Sequence, residues 1–185
     1  MLRRPRVDAP AAAAYDACVT SHQAAAPRPT RRVLVVCAGN ICRSPAAEAV
    51  LRMRAAGHPT VELEVRSRGR HDWNAGRHAH AAMTRIAAAR GYDLSGHIAA
   101  QLNADDLAWA DEVLVMDDDN HRQLLARYPG LAGHIRLLDA GGIPDPWLVD
   151  ENPAYADALD RIERAVGMYL AGLEQAGGDE RSTRA

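Results

Sequence analysis

Short blocks of apolar, β-branched residues alternate along this chain with stretches in which apolar positions recur every three or four residues. The first block, Val33-Leu34-Val35-Val36, has no polar face, as expected of a strand covered on both sides. From Ser44-Pro45 the period lengthens. Ala46, Ala49, Val50 and Met53 share one side of a helix that Pro45 opens and Gly57 ends. Residues 61–65 alternate and predict a second strand, at an edge of the sheet. Further on, the pattern predicts a helix over 80–90 stopped by Gly91, a strand over 112–116, a helix over 120–127 and a strand over 134–138. A long last helix over 153–173 carries Ala158, Leu159, Ile162, Val166 and Leu170 at helical spacing. This alternation predicts an α/β sandwich around a parallel sheet, with right-handed crossovers.

The two ends lack such patterning. Residues 1–32 mix alanine runs with Arg3, Arg4, Arg6, Asp8, Pro10, Pro27 and Pro29, too little apolar surface to offset ordering entropy. A disordered or loosely helical extension is expected there. A signal peptide is the competing reading, opposed by Asp8, Tyr15, Asp16 and His22 within the alanine stretch. The expected domain is 33–174, followed by a flexible polar tail over 175–185.

Composition narrows the chemistry. In 185 residues the net charge is −2, which gives no overall attraction to nucleic acid or an anionic membrane. No stretch approaches transmembrane length. All 22 basic residues are Arg. Without Lys there is no Walker-type phosphate loop and no Schiff-base lysine. Three cysteines do not make a disulfide framework, so a reducing, cytoplasmic compartment is expected.

The candidate chemistry lies at the first strand-to-helix junction, where open α/β sheets bind ligands. Cys37-Ala38-Gly39-Asn40-Ile41-Cys42-Arg43-Ser44 joins the two elements. Loop amides at a helix N-terminus can converge on an anion, and Gly39 and Asn40 tolerate the positive φ of a tight concave turn. Those amides, the helix dipole, Arg43 and the Ser44 hydroxyl all favour a Cys37 thiolate. Arg43 offers a planar fork to two phosphoryl oxygens. Cys-x5-Arg alone is a weak signal in so Arg-rich a chain, and a cysteine ending a buried strand is often inert core.

The full octapeptide is far more specific. It resembles the active-site loop of the low-molecular-weight protein tyrosine phosphatases, Cys-x4-Cys-Arg-Ser with Gly-Asn inside. The resemblance runs on through Ala46-Ala47-Glu48-Ala49, Ser67-Arg68-Gly69-Arg70-His71-Asp72-Trp73, residues 90–97, Val115-Met116-Asp117 and Ile143-Pro144-Asp145-Pro146-Trp147. It implies a three-layer α/β/α sandwich with a four-stranded parallel sheet. It also implies a cysteinyl-phosphate mechanism with Cys37 as nucleophile, Arg43 holding the phosphoryl group and Asp145 as general acid and then base. Ala38, Gly39, Asn40, Ile41, Cys42 and Ser44 would bind the phosphoryl group. Trp73 and Trp147 would wall the cleft, and Asn40, Ser44 and Ser67 would brace the loop.

No cofactor is implied. His78 and His80 lack a convincing third metal ligand and are expected to be solvated loop histidines. Cys42 is either a partner for a protective disulfide with Cys37 or a buried small residue. The expected substrate is a phosphotyrosine protein or aryl phosphate, with a cognate tyrosine kinase as a further partner. Apolar Ile41 stands where the protein-arginine phosphatase branch has Thr, which favours tyrosine. Arg68 and Arg70 are either solvated or add positive charge to the cleft rim. A small-metabolite phosphatase is the alternative. An arsenate reductase needs further cysteines, and none follows Cys42. A non-catalytic phosphate-binding module is opposed by the joint presence of Cys37, Arg43 and Asp145.

Overall fold

The computed structural model describes residues 28–182. Four strands, β1 (Thr30–Cys37), β2 (Glu62–Gly69), β3 (Glu112–Val115) and β4 (Ile135–Leu137), form one sheet in the order β2-β1-β3-β4, every pair parallel. Five helices connect or cover them: α1 (Arg43–Ala55), α2 (Ala81–Ala88), α3 (Ala104–Trp109), α4 (Asp118–Arg127) and α5 (Asn152–Ser182).

The apolar run in β1 is explained by its central place. Val33 and Val35 point into a core with Val50 and Leu51 of α1 and Leu159, Ile162 and Val166 of α5. Leu34 and Val36 point the other way, onto Leu102, Leu124 of α4, and Leu107 and Trp109 of α3. With a period of two, only an uninterrupted apolar strand serves both faces. Helices on both faces make the three layers that were expected.

Several bounds differ from the sequence pattern. β1 starts at Thr30, inside the segment expected to be disordered, because its backbone pairs with β2 from Thr30↔Glu62 onward whatever the side chains. The Arg32 amide also donates to Asp111 Oδ2 at 2.8 Å. What was expected of residues 1–27 lies outside the described residues. α5 continues to Ser182, through the part of the tail over 175–182. Glu174-Gln175-Ala176 are good helix formers, and extending a helix is far easier than starting one.

β2 runs four residues beyond its apolar alternation, and α3 was absent from the pattern altogether. The two misses share a cause. α3 has six residues, too few for a visible period, and is fixed by a capping box between Asn103 and Asp106. It covers the charged end of β2: the Arg66 guanidinium lies 4.0 Å above the Trp109 ring, and Arg68 forks onto buried Asp106 at 2.9 Å.

At the foot of the strands, buried Glu112 opens β3. It accepts from the Tyr169 hydroxyl at 3.0 Å and pairs with Arg31 of β1 and Arg136 of β4. Among the described residues no helix is long and apolar enough to cross a membrane.

Candidate active site

Cys37 ends β1 and Arg43 begins α1, so the 37–44 loop sits at the opposite end of the sheet from Glu112. Each carbonyl from residue 37 to 41 accepts a hydrogen bond from outside the loop. The Arg70 and His71 amides donate to Cys37 and Ala38 at 2.8 and 2.9 Å, and the His80 amide donates to Ile41 at 2.8 Å. Asn74 Nδ2 donates to Gly39 at 3.3 Å, and His97 Nε2 to Asn40 at 2.8 Å. A carbonyl can only accept, so His97 carries a proton on Nε2. With its carbonyls turned outward, the loop turns its amides inward, a nest for an anion. The α1 N-cap, Cys42, makes no side-chain capping bond, so the first helical amides add to that nest.

Asn40 organises the turn. Its φ is +55°, in the left-handed region that Asn tolerates. It is buried, its Nδ2 donates to Ser44 Oγ and Ser67 Oγ at 2.9 Å each, and its Oδ1 accepts from the Ala100 amide at 2.9 Å. The expected brace from Ser67 to Asn40 is therefore present. The Asn40 amide lies 3.3 Å from Cys37 Sγ, and Ser44 Oγ lies 3.0 Å from the same sulfur. The amide donates to the sulfur, and the hydroxyl lies within hydrogen-bond reach of it.

Arg43 is only 2% exposed. Its Nη1 donates to Asp117 Oδ2 at 2.5 Å and to the Ile143 carbonyl at 3.0 Å, and Nη2 donates to Asp145 Oδ2 at 2.5 Å. Burial opposes its charge, but Cys37, Asp145 and Asp117 outweigh burial and hold the guanidinium charged. The fork expected to grip two phosphoryl oxygens thus carries two carboxylates. Asp117 is the N-cap of α4, accepting from the Asn120 amide at 2.7 Å. Burial alone would raise its carboxyl; the Asn120 amide, Arg43 and the Asn120 side chain together keep it below the ordinary value.

Asp145 caps the 3₁₀ turn Pro146–Leu148, its Oδ1 accepting from the Trp147 amide at 3.2 Å. Cys37, Ala38, Gly39, Ile41, Cys42 and Arg43 form the base of a cleft of about 100 Å³, with Trp73, Asn74, Asp145 and Trp147 around them. The Cys42 thiol is pushed well up by burial, then by Cys37 and Asp145, and stays protonated. A larger hollow of about 660 Å³ opens between α1 and the 91–98 segment. Its Glu48, Arg52 and Arg68 are already paired, Glu48 with Arg52 at 2.6 Å and Arg68 with Asp106. The chemistry therefore belongs to the smaller cleft.

Some expectations fail here. Arg68 is half-buried and away from the cleft rim, committed to Asp106 and to the Ser67 carbonyl. Arg70 is folded onto α4, donating to Gln123 and to Asp119. The rim thus gains no free positive charge from either. His80 is not a solvated loop histidine: its ring packs against Trp147 and Tyr155. Among the described residues no group of three His, Cys, Asp or Glu is placed to hold a metal.

Four contributors had no assigned role in the sequence reading: Asp117, His97, Asn74 and Gly69. A Cβ on Gly69 would lie 2.9 Å from the His71 carbonyl oxygen and 3.1 Å from the Gly39 carbonyl carbon, so only glycine lets β2 pass this close. Asp117 had a readable signal, an acidic residue ending a β-strand run at the ligand-binding end of an α/β sheet.

Comparison with known proteins agrees with this geometry. The family model described as low molecular weight phosphotyrosine protein phosphatase matches residues 32–178. A probable low molecular weight protein-tyrosine-phosphatase, EpsP, from Ralstonia nicotianae is 31% identical over 150 residues, covering 80% of this chain and 99% of that one. The low molecular weight protein-tyrosine-phosphatase Etp of Escherichia coli is 35% identical over 137 residues, covering 72% and 88%. A crystal structure of a protein tyrosine phosphatase from Entamoeba histolytica superposes with a TM-score of 0.73 at 28% identity, covering 79% and 98%. With the loop, the paired arginine and the turn capped by Asp145 in place, the chain belongs to the low molecular weight phosphotyrosine protein phosphatase family and is an enzyme of that class.

Proposed function

We propose that this protein removes phosphate from phosphotyrosine in proteins through a cysteinyl-phosphate, with Cys37, Arg43 and Asp145 as the catalytic residues. The observation that carries the reading is the convergence of the Cys37 sulfur, inward-turned loop amides and the Arg43–Asp145 pair on one cleft. The substrate dianion takes the place of Asp145 at Arg43 Nη2, and the freed carboxylate takes up a proton from solvent and faces the leaving group. Cys37 attacks phosphorus as the bond to the phenolic oxygen breaks, and protonated Asp145 gives that oxygen its proton. The resulting Asp145 carboxylate takes a proton from water as the water attacks phosphorus and the S–P bond breaks. Charge on the transferring group is met by Arg43 and the loop amides.

Trp73 and Trp147 supply two flat apolar walls, which suit a phenyl ring. Ile41 presents no hydroxyl to a guanidinium. The engagement of Arg68 and Arg70 by carboxylates favours no polyanionic ligand. A thiolate nucleophile needs a reducing compartment, so we place the protein in the cytoplasm, where a tyrosine kinase would supply its substrate.

The test is substrate trapping with Cys37→Ser, run beside turnover assays on phosphotyrosine peptides and a panel of phosphorylated metabolites. Trapped phosphotyrosine proteins and preferential peptide turnover support the reading. Normal turnover by Cys37→Ser would refute the mechanism, and preferential turnover of a metabolite would refute the substrate.

A further inference from the structure

Both indoles that wall the cleft are backed by a histidine, and both histidines are fixed by the phosphate loop. The His71 ring lies flat on Trp73, with centroids 3.8 Å apart and planes 7° from parallel. The His80 ring meets Trp147 edge-on, at 5.2 Å and 86°, and is itself stacked on Tyr155 of α5 at 4.8 Å and 11°. The His71 and His80 amides donate to the Ala38 and Ile41 carbonyls, two residues of the loop that flank Gly39-Asn40. Loop carbonyls thus place two imidazoles, and the imidazoles lie against the two indoles.

The packing, and not hydrogen bonding, orients the His80 ring. Its Nδ1 is buried with no hydrogen-bond partner among the described residues. Its Nε2 is 3.9 Å from Asp150 Oδ1, beyond hydrogen-bond reach. An unpartnered buried nitrogen is unfavourable, so the ring's place must be held by its aromatic neighbours. His71 is kept toward the neutral form, by burial first and then by the Arg70 guanidinium, and neutral imidazole stacks on indole without a charge to solvate. Trp73 is 69% exposed and Trp147 49% exposed. Indoles with so much surface in water have few other neighbours to select one orientation.

We propose that His71 and His80 are positioning residues that set the orientation of Trp73 and Trp147 and thereby the affinity of the cleft for a flat aromatic leaving group. The inference rests on the aryl phosphatase reading of the same cleft. The division of contacts makes it specific. The loop and Arg43 meet the phosphoryl group, the tryptophans meet the ring, and losing a histidine must weaken ring-bearing ligands selectively.

Calorimetric titration with benzylphosphonate and with inorganic phosphate separates these contributions without any turnover. An aromatic pair accounts for about a two- to tenfold change in affinity. In His71→Ala and His80→Ala we expect benzylphosphonate to bind about fivefold more weakly, with phosphate unchanged within about twofold. His71→Phe and His80→Phe, which restore a flat ring, should return benzylphosphonate to within about twofold of the wild type. The His71 pair stands alone as a test if a His80 variant does not fold. Unchanged benzylphosphonate affinity, equal loss for both ligands, no recovery in the Phe variants, or no benzylphosphonate binding by the wild type each overturns the inference. Phenyl phosphate left unhydrolysed by a wild type that binds benzylphosphonate would instead overturn the phosphatase reading and leave the role of the histidines intact.

Discussion

Asp117 holds Arg43 Nη1 at 2.5 Å from the N-cap of α4, across 74 residues of sequence, and so aims a guanidinium that is almost wholly buried. Asp117→Asn keeps an oxygen for the cap but removes the charge. A loss of about 1.5–3 kcal/mol of stability at pH 7 is expected, the range for a hydrogen bond to a charged group, with a drop of about tenfold or more in kcat/KM. The carboxyl is depressed in the folded state, so its stabilisation is present above the unfolded value of 3.8 and fades as pH falls through the lower folded value. Urea melts of both proteins should therefore converge at acid pH. A gap that persists unchanged below pH 3.8 would contradict this account.

Asp145 shares Arg43 with the incoming phosphoryl group, so rate and anion binding should respond differently to its loss. Asp145→Asn is expected to lower kcat for phenyl phosphate by about 10²–10⁴, the usual contribution of a general acid. Orthovanadate affinity should be retained or improved, because one negative charge no longer competes for Nη2. Inhibition constants measured beside kcat provide the check, and a parallel loss in both would rule out the acid role.

Asn40 combines a strained backbone with a side chain that satisfies several buried partners, and two substitutions separate these contributions. Ala leaves the Ala100 amide without its acceptor and also meets the left-handed φ; Gly meets only the first penalty. Thermal melts should place Asn40→Gly about 1 kcal/mol above Asn40→Ala. Both should lose at least about tenfold in kcat/KM, as the loop amides lose their alignment. Full activity in Asn40→Gly would show that the side-chain bonds do not matter.

Gly69→Ala tests the close approach of β2 to the loop. The added methyl meets main-chain atoms, which cannot rotate away as a side chain would. Stability should fall by about 1–3 kcal/mol, as for overpacking, and anion affinity should fall with it. An active, equally stable variant would mean that the loop adjusts without consequence.

The sheet, its edge strand and the long last helix were legible because local periodicity reports burial directly: β1 is apolar on both faces and is buried on both. Cys37, Arg43 and Asn40 were legible because they stand together in a short loop whose spacing is itself informative. His97 was not, and Asp117 only as an acidic residue at the end of a strand, since their roles depend on meeting Asn40 and Arg43 from segments 57 and 74 residues away. Arg68 misled for a related reason. A charge just past the expected strand reads as exposed until a short helix that has no period of its own is seen to carry Asp106 to it. His80 was misjudged because loop histidines are usually wet, and nothing local to residues 78–80 announces Tyr155.

The Glu112 node, tying Arg31, Arg136 and Tyr169 at the foot of the strands, gives the molecule a division between anchorage and adaptability. Three strands and the last helix are cross-linked there by polar bonds that take no part in the cleft. The segments over 70–80 and 144–150, which shape the cleft, are attached at the other end. Substitutions in them, Asp145 excepted, can therefore retune which ligand is accepted while the scaffold remains secured elsewhere. A lineage exploring new specificities on this framework would be free to rewrite the rim and bound to keep the foot.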